Sequence, residues 1–346
     1  MREVTDQQRD TWRRQGEALL PAIAYGDAAG LPVENRIAQE IEQQFGRIKE
    51  LLPAKHHLYF QSEEQPGIVS DDTQQSIAVA KALIRANGFD LDAMAEAHIE
   101  AYEATQDVMH KTGEKTIKRG WGASTIGAME KLRSGVSPHD SGTVDGAGNG
   151  VLIKMAPLVL WQSIQQVPME ERYEQYDQLT NMTHNSSIAR MSTRILGDLL
   201  SYSIRDTYNK SVLMNVLEGA MVTHEFDAQR TTDIELGYMR DFMEYLYGNV
   251  NRKTILANTG EGFYAPETIA RVLGAYVAHD GVFTPSVYEA VNLGGDTDSI
   301  ASIVAAMSVF NANGEVQLPE DAEVIEGLPE LRSIGRQLGA FALQAA

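Results

Sequence analysis

Two short stretches place paired carboxylates beside hydroxyls where loop gives way to helix. "VSDDTQQSIAVA" brings Ser70, Asp71, Asp72 and Thr73 to the start of one apolar-periodic run. "NLGGDTDSIASIV" brings Asp296, Thr297, Asp298 and Ser299 to the start of another, more than 200 residues away. Two chemistries fit each cluster. Ser, Thr and Asp cap helix N-termini, and carboxylates favour the positive end of the helix dipole. The i, i+2 spacing of Asp296 and Asp298 also suits a loop wrapped around a hard cation. An oxygen-only donor set selects Mg²⁺, Mn²⁺ or Ca²⁺ rather than zinc. A cap needs one side chain, and each helix start here offers two carboxylates and a hydroxyl. If the two starts converge, four carboxylates share one place. They would repel or protonate unless divalent cations neutralise them. Such a binuclear site activates water.

Three further stretches bear on that site. "AIAYGDAAGLPVE" makes a small-residue turn at Gly26, Asp27 and Gly30, with Glu34 following Pro32. A helix end with a solvated glutamate accounts for it. "DGAGNGVLIKMAPL" exposes backbone N–H groups around Asn149 through Gly146, Gly148 and Gly150, and such a loop can cradle an anion. It matches neither a Rossmann nor a P-loop pattern. "RGWGAST", Arg119 to Thr125, is another loop that enters a helix. The histidines, His57 and His184 included, show no metal-type spacing, and ordinary polar or core roles are expected for most of them.

The elements that must position these residues are helical. Ile77, Ala80, Leu83 and Ile84 mark one helix face, and Ile300, Ile303, Val304, Met307 and Phe310 mark another. "PETIARVLGAYVAHDG" opens with Pro266 and closes at Gly281, the expected punctuation. "SSIARMSTRILGDLLSYSIRD" and "TTDIELGYMRDFMEYLYG" also read as helices. No convincing set of alternating strands appears. Glycine-rich stretches at 120–127, 142–150 and 258–262 read as loops between helices. The expectation is an all-α fold, with one compact multi-helix domain over 13–346 preceded by a short charged arm over 1–12.

Composition removes whole classes of function. Hydrophobic residues make up 43% of the 346, enough for a real core. The formal charge of −19 argues against nucleic acid and anionic membranes, which need clustered Lys and Arg. Any phosphate ligand would need a cation or backbone N–H donors. With no cysteine, thiolate metal sites, disulfides and cysteine nucleophiles are excluded. That fits a reducing compartment, and a cytoplasmic location is expected. No signal-peptide core and no run long enough to span a membrane is present.

Taken together, these stretches resemble the ADP-ribosylglycohydrolases, from about Arg14 to about Pro319. That family includes the dinitrogenase-reductase-activating glycohydrolases and the ADP-ribosyl-acceptor hydrolases. "GDAAGLPVE" is similar to the family's opening "GDALGxPxE", and "SDDTQQSIAVAKALI" to its "TDDTxMxLALAxxL". "GNGVLIKMAPL" is similar to "GNGxxMRxAPL", and the stretch from "EGFYAPETIARVL" to "GGDTDSIASIVAAM" follows the C-terminal signature. The resemblance implies an all-α domain with two Mg²⁺ or Mn²⁺ ions in a cleft. The implied ligands are Ser70, Asp71, Asp72, Asp296, Asp298 and Ser299. The implied catalytic carboxylates are Glu34, on a mobile loop, with Asp72 and Asp298. Gly122, Ser124, Gly146, Ala147, Gly148, Asn149 and His184 fall where the family binds the phosphates and riboses of ADP-ribose. Serine replaces the commoner threonine at Ser70 and Ser299, and Lys154 replaces an arginine. "THNSS" lacks the second histidine and the proline often found there.

The implied activity is metal-dependent removal of ADP-ribose from a modified acceptor, with arginine slightly preferred. The partners would be an ADP-ribosylated protein or a small ADP-ribosyl compound. The alternative is a non-catalytic role: an immunity or binding protein that occludes an ADP-ribosyltransferase toxin, or a structural relative of the lens-crystallin kind.

Overall fold

The longest apolar run explains the architecture. Between Leu19 and Leu31 every residue is buried, so this half of its helix has no solvent face and must lie at the centre. The computed structural model describes residues 4–59, 65–227, 240–241 and 243–344. Among these, fourteen α-helices carry the fold. Helix α1 (Asp6–Gly30) is central and packs on α13 (Thr297–Asn311) and α14 (Leu328–Ala340). Around it stand α3 (Asp71–Ala86), α4 (Leu91–Ala104), α6 (Met155–Ile164), α8 (Ser187–Arg205), α11 (Ala265–Val277) and α12 (Phe283–Asn292). The shorter or peripheral helices are α2 (Ala38–Phe45), α5 (Ala123–Arg133), α7 (Met169–Asn181), α9 (Lys210–Asp227) and α10 (Arg252–Asn258). The all-α expectation holds. No helix among the described residues is long and apolar enough to cross a membrane.

The residues expected as an arm, 1–12, are from Asp6 onward the opening turns of α1. Thr5 caps that helix by accepting from Gln8 N (3.2 Å), and Trp12 is buried. The helix expected over 231–248 lies mostly outside the described residues.

Two pairs of short strands interrupt the helices. β1 (Asp107–Met109) and β2 (Thr116–Lys118) form an antiparallel hairpin, and β3 (Thr143–Val144) pairs in parallel with β4 (His184–Asn185). Three residues are too few to show alternation, so the hairpin leaves no periodic trace in the sequence. The β3–β4 pair matters for the site because it sets the glycine loop after Val144 against His184. The first glycine-rich stretch is a loop only up to Gly122, and α5 begins at Ala123.

Close backbone approach fixes how α1 meets α13. A Cβ on Gly30 would sit 2.3 Å from Asp298 N, so only glycine lets α1 end against the first turn of α13. Thr297 Oγ1 donates to Gly30 O (2.8 Å) and ties the two ends together. Gly295 takes φ +75°, and a Cβ there would meet Glu261 O at 2.0 Å. This left-handed turn swings the chain from α12 into α13 and aims the acidic side chains inward.

Candidate metal centre

The two acidic clusters converge. Carboxylate oxygens of Asp27, Asp72 and Asp298 lie within 4.8 Å of one another, as do those of Glu34, Asp296 and Asp298. Asp298 belongs to both groups. Three different helices supply the first set: the end of α1, the start of α3 and the start of α13. The aspartates are almost wholly enclosed, none more than 7% exposed. Three helix ends therefore converge on a pocket of negative charge that water barely reaches.

Capping and holding divide between the two starts. Ser70 is the N-cap of α3 and accepts from Asp72 N (3.3 Å), while its hydroxyl donates to Asp72 Oδ2 (3.0 Å). Asp296 stands at the N-cap of α13, yet its side chain caps nothing. It accepts from Asn149 Nδ2 instead (2.7 Å). The dipole of the helix favours its charge, while its hydrogen bond comes from across the site. Ser299 reaches Asp72 Oδ2 at 3.4 Å, and Ser302 Oγ donates to Asp72 Oδ1 (3.1 Å). Asp71 lies outside both carboxylate groups, and Gln75 Nε2 donates to its Oδ2 (2.6 Å).

Asp27 is the member of the cluster that its turn-like local sequence does not announce. It is buried, and its carboxylate accepts from Ser70 N (2.9 and 3.0 Å), Thr73 N (3.1 Å) and Thr73 Oγ1 (2.6 Å). It thus caps α3 from another helix. A carboxylate in the otherwise apolar and small run Leu19–Leu31 is the available signal, since an acid there must be buried. Asp27→Ala would leave three buried donors without an acceptor. We expect a loss of about 3 kcal/mol or more in chemical denaturation, from roughly 1–3 kcal/mol per orphaned group. An unchanged midpoint would show that Asp27 does not organise the helix start.

Glu34, expected as a solvated residue from its local sequence, is held by two side chains, one at each carboxylate oxygen. Asn35 Nδ2 donates to Oε1 (2.8 Å), and His57 Nε2 lies 2.7 Å from Oε2. Tyr59 N donates to His57 Nδ1 (3.1 Å), so the ring keeps its proton on Nε2 and gives it to Glu34. With a side chain 17% exposed, Glu34 is the carboxylate of the cluster that faces the cleft. His57 has no recognisable spacing, because its partner lies 23 residues away through a bend in space.

Burial and mutual repulsion push the aspartates toward protonation. Asp27 and Asp296 are held at about 6, chiefly by burial. Asp71 rises to about 7, through burial and then the charge of Asp27. Asp72 and Asp298 are raised well above the carboxylate range by burial and the neighbouring acids. Asp298 Oδ1 is buried with no hydrogen-bond partner among the described residues. A closed set of acidic oxygens with one orphaned acceptor fits a hard divalent cation, which would remove the repulsion and complete that oxygen. The donor set contains no sulfur and no imidazole.

The glycine loop borders this pocket. Asn149 Nδ2 bridges Gly262 O and Asp296, and Asn149 N donates to Phe263 O (3.1 Å). Gly146 N donates to Thr143 O (3.1 Å). Those two N–H groups serve the fold, which leaves Ala147 and Gly148 as the loop's candidate anion donors. Gly122 is the N-cap of α5, and Ser124 in its first turn neighbours Gly146. His184 is buried against the loop. Glu34 also lines a cleft of about 540 Å³, together with His57, Tyr59, Asp107, Gly120 and Trp121 among others.

Known proteins resemble this chain in sequence and in fold. The family model for ADP-ribosylglycohydrolase matches residues 9–338. An uncharacterized protein of Archaeoglobus fulgidus is 24% identical over 285 residues, covering 82% of this chain and 83% of its own. The ADP-ribosylhydrolase ARH3 of Bos taurus is 23% identical over 358 residues, covering 92% of this chain and 90% of its own. A solved structure titled "ADP-ribosylglycohydrolase-related protein complex" shares the fold, with a TM-score of 0.67 at 22% identity over 98% of this chain and all of that one. The family match supports a hydrolase that removes ADP-ribose. A model matched from Arg9 to Leu338, nearly end to end, leaves the assignment plain: the chain belongs to the ADP-ribosylglycohydrolase family.

Proposed function

We propose that this protein hydrolyses the glycosidic bond between ADP-ribose and a modified acceptor side chain, using two Mg²⁺ or Mn²⁺ ions. The carrying observation is the pair of carboxylate groups that share Asp298, because two overlapping oxygen sets suit two neighbouring cations. Asp27, Asp72 and Asp298 would hold one ion, and Glu34, Asp296 and Asp298 the other, with Ser70, Asp71 and Ser299 as nearby oxygen donors. The ions would supply Lewis acidity and lower the pKa of bound water.

The chain's own groups supply orientation and proton handling. Ala147, Gly148 and the start of α5 at Gly122 and Ser124 present amides and a hydroxyl to the diphosphate. Asn149 and His184 flank the same loop and offer polar atoms to phosphate and ribose. Glu34 takes the proton from the attacking water, held in place by His57 and Asn35. Asp72 and Asp298 stabilise the positive charge that develops at the sugar carbon. As the water oxygen bonds to the sugar carbon, the bond from that carbon to the acceptor breaks, and the proton taken by Glu34 passes to the departing acceptor. Arginine is the preferred acceptor, since a planar guanidinium suits the rings of Tyr59 and Trp121 beside a carboxylate.

The intact, buried acidic set argues against a purely occluding or structural role, for which no orphaned Asp298 oxygen is needed. The decisive measurement is release of free ADP-ribose from arginine-, serine- and nucleobase-linked substrates, with Mg²⁺, Mn²⁺ or EDTA. We expect release with metal, strongest from arginine, and none with EDTA. Equal release in EDTA would sink the metal mechanism, and no release from any substrate would overturn the hydrolase reading.

A further inference from the structure

A buried lysine joins the acidic cluster to the glycine loop. Lys154 is 0% exposed. Its Nζ lies 3.3 Å from Gln75 Oε1 and 3.0 Å from Thr183 Oγ1. Beyond Gln75, the amide Nε2 meets Asp71 Oδ2 (2.6 Å). Beyond Thr183, the hydroxyl meets His184 Nδ1 (2.9 Å). The order is Asp71, Gln75, Lys154, Thr183, His184, one connected chain of side chains.

Donor and acceptor inventory orients every link. An ammonium has three donors and no acceptor. Gln75 must therefore turn its oxygen to Lys154, which leaves its NH₂ for the Asp71 carboxylate. Thr183 Oγ1 must accept from Lys154, and because the hydroxyl is buried, the acceptor within reach of its own proton is His184 Nδ1. An imidazole nitrogen that accepts is bare, and the ring proton then sits on Nε2. Burial, with Lys154 nearby, drives His184 down to about 3, so the ring is neutral. That Nε2 lies over the loop: a Cβ on Gly148 would be 3.7 Å from it, and a Cβ on Gly146 would be 3.2 Å from Cδ2. Burial lowers Lys154 to about 7 while Asp71 holds it up, so the ammonium form is best studied near pH 6.

We propose that Lys154 is a positioning residue which, through Thr183, fixes His184 as an Nε2–H donor toward the Gly146–Gly150 loop and, through Gln75, holds the Asp71 carboxylate. The proposal rests on the reading that this loop takes the phosphates or ribose of ADP-ribose. It gives His184 a single polarity: it recognises an acceptor atom of the ligand, such as a phosphate or hydroxyl oxygen. One buried cation thereby aligns both ends of the substrate site.

The test reads the tautomer directly. Protein labelled with ¹⁵N-histidine, at pH 6 and without metal, is examined by long-range ¹H–¹⁵N correlation, with His184→Asn to assign the signal. We expect the Nε2–H tautomer in the wild type and in Lys154→Arg, and mixed tautomers in Lys154→Met and Thr183→Val. Titration with ADP-ribose should show affinity roughly 10–100-fold weaker in Lys154→Met, the range for lost outer-shell partners, with Lys154→Arg restoring it. Thr183→Val keeps the cation, so it carries the test if Lys154→Met does not fold. An Nδ1–H tautomer in the wild type, or an unchanged tautomer in both variants, would overturn the relay. A fixed Nε2–H tautomer in a protein that does not bind ADP-ribose would uphold the relay and overturn the reading of the loop.

Discussion

Replacing Asp298 by asparagine should cost more than about 100-fold in ADP-ribose release, the upper end of what losing an outer-shell partner costs. The same substitution should make the metal-free protein more stable. Both effects follow from one fact. Asp298 belongs to both carboxylate groups, and its Oδ1 is buried with no partner among the described residues. Its charge is disfavoured by burial first, then by Glu34, Asp72, Asp296 and Asp27. Asparagine keeps the shape, removes the charge and adds an NH₂ that the adjacent acids can accept from. We expect thermal unfolding in EDTA to show a gain of about 1 kcal/mol, the usual yield of removing a functional strain. Asp27 should behave in the opposite way even as a ligand, because its carboxylate also anchors the start of α3 through Ser70 and Thr73. If Asp298→Asn lowered stability and left turnover intact, the metal-centre reading would be wrong. The contrast between these two aspartates, 271 positions apart (298 − 27), is more informative than either activity alone.

The residues that announce the site in the sequence are those whose role is local. Ser70, Asp71 and Asp72 sit at a helix start, and helix starts are legible from caps and apolar spacing. Asp296 and Asp298 are legible for the same reason, with two glycines to mark the turn. The choice between capping and holding is not legible. It depends on whether the neighbouring N–H groups or a distant Asn149 satisfies Asp296, and only the fold decides that. Asp27, His57, Gln75 and Thr183 are hidden for a related reason. Each acts through a partner that the packing of α1, α3 and the β3–β4 pair delivers, and no spacing along the chain encodes such a meeting. The short strands are hidden because three residues cannot display a period. The charged stretch over 6–12 carries the opening turns of α1, with Trp12 buried.

Metal-free protein should lose stability as pH rises from about 5 to about 8, and a divalent cation should cancel that loss. The sign comes from proton counting. Asp27 and Asp296 titrate at about 6 and Asp71 at about 7 in the folded chain, against a usual 3.8. Between those limits the folded state binds more protons than the unfolded one, so stability falls with rising pH. The contribution is complete below the unfolded value and gone once pH has passed the folded one. Above pH 5 Asp27 alone accounts for about 1.4 kcal/mol, since its folded titration point at about 6 lies one pH unit higher and each unit is worth roughly 1.36 kcal/mol. At about 2 °C per kcal/mol for a chain of this size, Tm in EDTA should drop by roughly 3 °C between pH 5 and pH 8 from this residue. A cation binds the ionised carboxylates and displaces their protons, so its stabilisation grows with pH. At a hundredfold excess over Kd it adds about 2.7 kcal/mol, more than the ionisation of Asp27 removes over this range. Melting curves at pH 5 and pH 8, in EDTA and in Mg²⁺ or Mn²⁺, would decide the matter. A Tm in EDTA that rises between pH 5 and 8 would mean that these aspartates are paired by protein groups. A cation would then have nothing to neutralise, and the convergence of α1, α3 and α13 would need a reason other than metal.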